Sequence, residues 1–207
     1  MGCAVKTAAS PKDAPEYVHV CKAGPVFDSK IVEILNKYKE TKMAGYVIHL
    51  AIGEEYIRRY KDDIKNKEEF LRGIVAPDGT DNNRKAHYGE KDSIESVKKF
   101  LDENSEKLNT DYIKGYFLHL FTDYIFYGKY FSRGHYYEDY DRTNKVIIEK
   151  YNVKVPKELE KFAKFVDEEP EHLKYHLIYE IIELSIKNSI KENIEKILKG
   201  EYDEYKD

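Results

Sequence analysis

The 207-residue chain has no tryptophan, two cysteines and six prolines. Two cysteines, Cys3 and Cys21, are too few for the disulfide framework of a small secreted domain, and in a reducing compartment they stay thiols unless a metal holds them. With so little proline, long stretches remain open to helix. No run approaches the roughly 20 apolar residues of a membrane span. The opening MGCAVKTAAS has no apolar core of a signal peptide. Gly2-Cys3 does not make it a lipidation start either, because Lys6 stands where a myristoylation signal needs Ser or Thr and no hydrophobic stretch precedes Cys3. A cytoplasmic protein is the default expectation. The formal net charge is −4, with no block of like charge long enough for a polyanion-binding tail, so nucleic acid is not an expected partner. Neither an internal repeat nor a low-complexity tract is present.

What the chain has in quantity is Lys, Glu, Ile and Tyr, with 36% charged and 41% hydrophobic residues. That mix favours helices with charged outer faces around one sizeable core. Capping residues and apolar spacing predict helices over about 28–42, from near His49 to about Tyr60, and over 68–75, 92–103, 110–127, 142–151, 156–166, 170–187 and 189–199. Asp92 or Ser93 caps the fourth of these, and Thr110 and Asp111 offer cap oxygens to the fifth. The aromatic-rich segment Tyr127–Tyr140 reads as an irregular lid. Residues 1–26 hold both cysteines and three prolines, and two short extended pieces around Cys3–Lys6 and Tyr17–Cys21 suggest a small hairpin or loop. The expected fold is all-α, a multi-helix bundle around a metal site. A short irregular or hairpin extension over residues 1–42 precedes a helical domain over 43–200 and a frayed tail over 201–207.

The bundle is organised around TDYIKGYFLHLFTDYIFY, residues 110–127. His119 and Asp123 lie four apart on its apolar side, one above the other. An ionised Asp among so many aromatics is costly unless something compensates it. A divalent cation would do so, and so would a hydrogen-bonded His–Asp pair in an ordinary core; the spacing alone leaves both readings open. Three further residues join the pair as candidate ligands. His49 sits near the apolar face of an earlier helix, Asp78 follows the helix-breaking Pro77, and His87 lies in the polar loop beyond it. A nitrogen–oxygen set of this kind suits Zn²⁺ best, with Mn²⁺ or Fe²⁺ as alternatives.

The order of these residues, with the segments Gly73-Ile-Val-Ala-Pro77-Asp78 and Gly115-Tyr-Phe-Leu-His119-Leu-Phe-Thr-Asp123, resembles the bacterial zinc-dependent phospholipase C family, also called the phospholipase C/D domain. The resemblance spans roughly residues 43–199. It implies Asp78, His87, His119 and Asp123 on one ion, with His49 and Asp123 on a second. Three features depart from the family pattern. The family's free N-terminal amine, a metal ligand, has no counterpart at Met43, which lies inside this chain. Tyr127 and Tyr130 stand where a later histidine is expected, with His135 further on. The closing His-xxx-Glu pair has only His176 and Glu180 to match it. One or two ions are therefore expected rather than three. A second resemblance covers residues 1–34: GCAVKT and YVHVCKAGPVFDSK are similar to the [2Fe–2S]-binding tail of the dihydroorotate dehydrogenase electron-transfer subunit, with Cys3 as the third and Cys21 as the fourth cluster cysteine. Four thiolates are needed, so one chain cannot complete such a cluster.

The function implied is a metal-dependent phosphoesterase acting on a phosphodiester or phospholipid-type substrate, a small phosphate ester or lipid headgroup. Asp78 is the catalytic candidate, to orient or deprotonate the attacking water, and Arg84, Lys85 and Arg133 are candidate phosphate contacts. A non-catalytic metal-binding member of that family is one alternative. A fragment of the dihydroorotate dehydrogenase electron-transfer subunit is another.

Overall fold

A computed structural model describes residues 4–6, 17–19, 45–80, 83–131 and 136–202. The chain divides into two compact units, Met1–Glu40 and Thr41–Asp207. In the first, β1 (Ala4–Lys6) pairs antiparallel with β2 (Tyr17–His19), Ala4 opposite His19 and Lys6 opposite Tyr17. Cys3, Cys21 and the helix expected over 28–42 lie outside the described residues.

Every regular element described in the second unit is helical. The order is α1 (Tyr46–Arg59), α2 (Lys67–Val75), a single turn α3 (Asn83–Ala86), α4 (Ile94–Glu103), α5 (Asp111–Ile125), α6 (Tyr137–Tyr151), a second single turn α7 (Lys157–Glu160), α8 (Tyr175–Ser185) and α9 (Ile190–Leu198). No described helix is long and apolar enough to cross a membrane. Local chemistry sets several starts. Asn66 accepts a hydrogen bond from the Glu69 amide at α2, Ser93 from Ser96 at α4, and Ser189 from Glu192 at α9. The start of α5 differs from expectation. Thr110 donates its hydroxyl to the Lys107 carbonyl instead of capping, and the Asp111 carboxylate accepts the Lys65 and Asn66 amides, tying α5 to the loop before α2.

Helix α5 is the axis of the bundle and packs against α1, α2, α4, α8 and α9. Its Phe117, Leu118, Phe121 and Ile125 are fully buried, as are Tyr46, Val47, Ala51 and Tyr56 of α1. The crossing of α5 on α2 is unusually close. A Cβ on Gly115 would come 2.0 Å from the Phe70 carbonyl oxygen, and one on Gly73 would come 2.0 Å from the Tyr112 carbonyl oxygen. Two glycines facing opposite backbones thus let α2 lie directly on α5, and this brings the end of α2 within reach of His119.

Past α5 the chain differs from the lid expected over Tyr127–Tyr140. Phe126–Tyr130 continues the helix as one π-helical turn, and α6 begins at Tyr137, five residues before the predicted start at 142. The helices expected over 156–166 and 170–187 shrink to α7 and α8. For the second of these the cause is tertiary. Asp139 on α6 accepts the backbone amides of Glu171, His172 and Leu173 at 2.6–2.9 Å and pairs with Arg142 at 3.1 Å, holding that stretch in a non-helical path. Burial alone would raise the Asp139 carboxyl, but the three amides and the guanidinium outweigh it and hold it down at about 2. A depressed folded-state value means the stabilisation is complete above the ordinary 3.8 and disappears as pH falls through about 2. Asp139→Ala is therefore expected to cost about 3 kcal/mol at pH 7, since three amides lose their acceptor. The urea midpoints of variant and parent should converge between pH 4 and pH 2.

Candidate metal centre

One helix and two turns bring their side chains to α5. His49 comes from α1, Asp78 from the turn after α2, His87 from the turn after α3, and His119 and Asp123 from α5 itself. The three histidines are buried, at 8%, 4% and 1% exposure, while the Asp78 and Asp123 side chains retain 16% and 13%. Asp123 is the hub. Its Oδ1 lies 3.3 Å from His49 Nε2, and its Oδ2 lies 3.2 Å from both His87 Nε2 and His119 Nε2. The last two nitrogens are 3.1 Å apart. Asp78 Oδ1 stands slightly further out, 3.6 Å from His87 Nε2 and 3.9 Å from His119 Nε2. The His49 and His119 rings stack with centroids 3.9 Å apart.

The protonation of His119 decides what this arrangement means. Ile74 lies in the last turn of α2, where carbonyls have no intrahelical partner. Its oxygen is 2.7 Å from His119 Nδ1. A carbonyl only accepts, so Nδ1 carries the hydrogen. Burial, and then the neighbouring His49, push the His119 pKa down against the pull of Asp123 and Asp78, which disfavours a proton on Nε2. Burial would raise Asp123, but the surrounding imidazoles, His119 foremost, hold its carboxyl well below the usual range. Nε2 faces a carboxylate oxygen at 3.2 Å. The low value of Asp123 thus depends on positive charge between the two groups, which a proton on His119 supplies against the burial of that ring and a divalent cation supplies without it. The dimensions fit: Zn–N and Zn–O bonds of about 2.0–2.1 Å give tetrahedral ligand–ligand edges of about 3.3 Å. The backbone bond that fixes the His119 tautomer is the usual support of a metal-ligating imidazole.

Among the described residues, three triads bring one ligand atom each within 4.8 Å of one another: His49–His119–Asp123, Asp78–His87–His119 and His87–Asp92–Asp123. Asp92 was not among the sequence candidates, which treated it as a possible cap of α4. Ser93 takes that role, and the Asp92 side chain is left 4% exposed, paired with Arg84 at 3.5 Å. The one sequence signal was that two adjacent cap formers stood where one was needed, five residues after His87.

Two tyrosines line the same region. Burial, then the charges of Asp123 and Asp92, push the Tyr127 phenol far up; burial, then Tyr127 and Asp123, do the same to Tyr140. Their side chains share a hydrogen bond, so both are neutral phenols beside the carboxylates. His176 and Glu180 do not reach the centre. Both are exposed on α8, where Glu180 pairs with Lys129 at 3.5 Å. Lys85 is exposed, and Arg133 and His135 lie outside the described residues. The buried groups could thus hold a divalent cation through nitrogen and oxygen donors, and no described cysteine is among them. No protein-family model, curated protein or solved structure matches the chain.

Proposed function

We propose that the chain is a metal-dependent phosphoesterase, using zinc in preference to Mn²⁺ or Fe²⁺, that cleaves a phosphodiester or phospholipid-type substrate. The observation that carries the metal is the convergence of His49, His87 and His119 Nε2 on the Asp123 carboxylate at 3.2–3.3 Å, with the His119 Nδ1 hydrogen bonded to the Ile74 carbonyl. The order of the motifs over residues 43–199, which resembles the zinc-dependent phospholipase C family, supports the reaction class. A bound divalent cation supplies charge neutralisation to a phosphoryl group and lowers the pKa of a water.

The chain's own groups supply the remainder. Asp78 sits on a turn at the edge of the cluster, more exposed than the histidines, and is positioned to orient an attacking water or take its proton. The neutral Tyr127–Tyr140 pair spends one O–H on its mutual hydrogen bond and offers the other as a donor without adding negative charge against a phosphate. Arg84, 40% exposed and anchored by Asp92 and the Glu90 carbonyl, adds a fixed positive charge at the rim. Incubation of the zinc-loaded protein with a chromogenic phosphodiester such as bis(p-nitrophenyl) phosphate tests the proposal. Hydrolysis should be abolished by a chelator and restored by zinc, and Asp78→Asn should lower kcat by about 100-fold or more, the usual share of a general base. Zinc binding without cleavage of phosphodiester or phospholipid would leave a metal-binding protein that is not this enzyme.

A further inference from the structure

Stacked imidazoles do not aim their ring nitrogens at one ion. The His49 and His119 rings stack with centroids 3.9 Å apart and planes 17° apart. A lone pair or N–H of an imidazole lies in the ring plane, so the two Nε2 atoms point side by side and meet different partners. His119 Nε2 faces Asp123 Oδ2 at 3.2 Å, and His49 Nε2 faces Oδ1 at 3.3 Å. The donors gathered at Oδ2 form a set without His49. His87 Nε2, His119 Nε2 and Oδ2 make a triangle with sides of 3.1, 3.2 and 3.2 Å. That is close to one face of a tetrahedron about zinc, whose edges are about 3.3 Å. One ion on this face uses both histidines and a single carboxylate oxygen.

His49 is left with Oδ1, and its other nitrogen decides how the two interact. His49 Nδ1 is buried and has no hydrogen-bond partner among the described residues. A metal-ligating imidazole binds through one nitrogen and donates the hydrogen of the other to a carbonyl, a carboxylate or water. His119 has such an acceptor in the Ile74 carbonyl. If His49 bound metal through Nε2, its hydrogen would sit on Nδ1, a buried donor with nothing to receive it. With the hydrogen on Nε2, the same ring donates to Oδ1 and no N–H is stranded. We infer that His49 is a positioning residue and not a metal ligand: its Nε2–H holds Asp123 Oδ1, so that Oδ2 is presented to one ion together with His87 and His119. The inference rests on the metal-binding half of the proposed function. It departs from the family resemblance, which puts His49 and Asp123 on a second ion. Held at Oδ1, the carboxylate gives the ion one oxygen and does not bridge to another.

Nitrogen-15 NMR of the histidine rings in the zinc-loaded protein tests this directly, because a ring nitrogen bound to metal carries no hydrogen. His49 should keep its hydrogen on Nε2, while the Nε2 atoms of His87 and His119 carry none. A bare Nε2 on His49 overturns the inference. That measurement needs no variant, so a replacement that fails to fold leaves the test intact. Two variants add a second readout, taken with zinc alone. His49→Ala should bind one zinc per chain, as the parent does, but about 10–100-fold more weakly, the usual cost of losing the group that orients a ligand. His49→Gln places an amide N–H where Nε2–H stood and should recover most of that loss. An amide nitrogen does not ligate, so no such recovery is expected if His49 binds the ion. A parent that holds two zinc ions, one of them lost in both variants, overturns the inference and leaves the metal centre standing. A parent that binds no zinc removes the metal centre itself. None of these readouts depends on catalysis, so a failure to cleave phosphodiester bears on the phosphoesterase reading alone.

Discussion

Alanine at Gly115 should lower the thermal midpoint of the helical unit by roughly 10 °C although it removes no contact. The added Cβ would stand 2.0 Å from the Phe70 carbonyl oxygen, and 2.9 Å from the Ile74 amide nitrogen. Both are backbone atoms of α2, so no side chain can swing aside and the helices must separate. Overpacking of this kind costs about 3 kcal/mol, and for a unit of this size each kcal/mol moves the midpoint by about 2–4 °C. The damage also reaches the metal centre. Moving α2 off α5 lengthens the 2.7 Å bond from His119 Nδ1 to the Ile74 carbonyl, and with it goes the constraint on the tautomer. Zinc affinity should therefore fall along with stability. Gly128→Ala is the control, since a Cβ there meets only the Tyr124 ring at an ordinary 3.7 Å. Differential scanning calorimetry with and without zinc reads both effects. Equal midpoints for the Gly115 variant and the parent would contradict the close crossing.

Much of this centre was legible in the sequence because helical geometry is local. His119 and Asp123 are four residues apart, and nothing but the helix is needed to set their side chains side by side. The helical class followed from composition and spacing in the same way. What could not be read depends on partners distant in sequence. The tautomer of His119 is fixed by a carbonyl 45 residues away. Asp92 read as a helix cap because two cap formers stood together; only the folded chain assigns the cap to Ser93 and turns Asp92 inward. The lid expected over Tyr127–Tyr140 missed the π-helical turn that prolongs α5. The long helix expected over 170–187 gave way at its start to the three amides gathered by Asp139, where tertiary hydrogen bonding overrode local propensity.

Asp123→Asn is expected to produce the largest functional loss of any single change. Asp123 contacts all three histidines of the cluster, and two of those contacts converge on one oxygen. The amide keeps the shape but removes the negative charge and replaces one acceptor oxygen by a donor group that cannot ligate. Changes that only reorient a ligand cost about 10–100-fold in metal affinity, so loss of the ligand charge itself should exceed about 100-fold. Without metal the variant also loses the imidazole interactions that hold the Asp123 carboxyl well below its usual range. Its metal-free melting midpoint should therefore fall below that of the parent. Addition of zinc at about 100 times its dissociation constant should then stabilise the parent by about 2.7 kcal/mol, a rise of roughly 8 °C, and leave the variant unmoved. A variant that merely unfolds would lose its midpoint in both conditions.

The most direct measurement is a competitive zinc titration of the parent, Asp123→Asn and His119→Ala side by side. The parent should bind zinc, and both variants should bind it more than about 100-fold more weakly while retaining their helical circular dichroism. Variants that bind zinc as tightly as the parent, or a parent that takes up none, would contradict a metal centre built on His119 and Asp123.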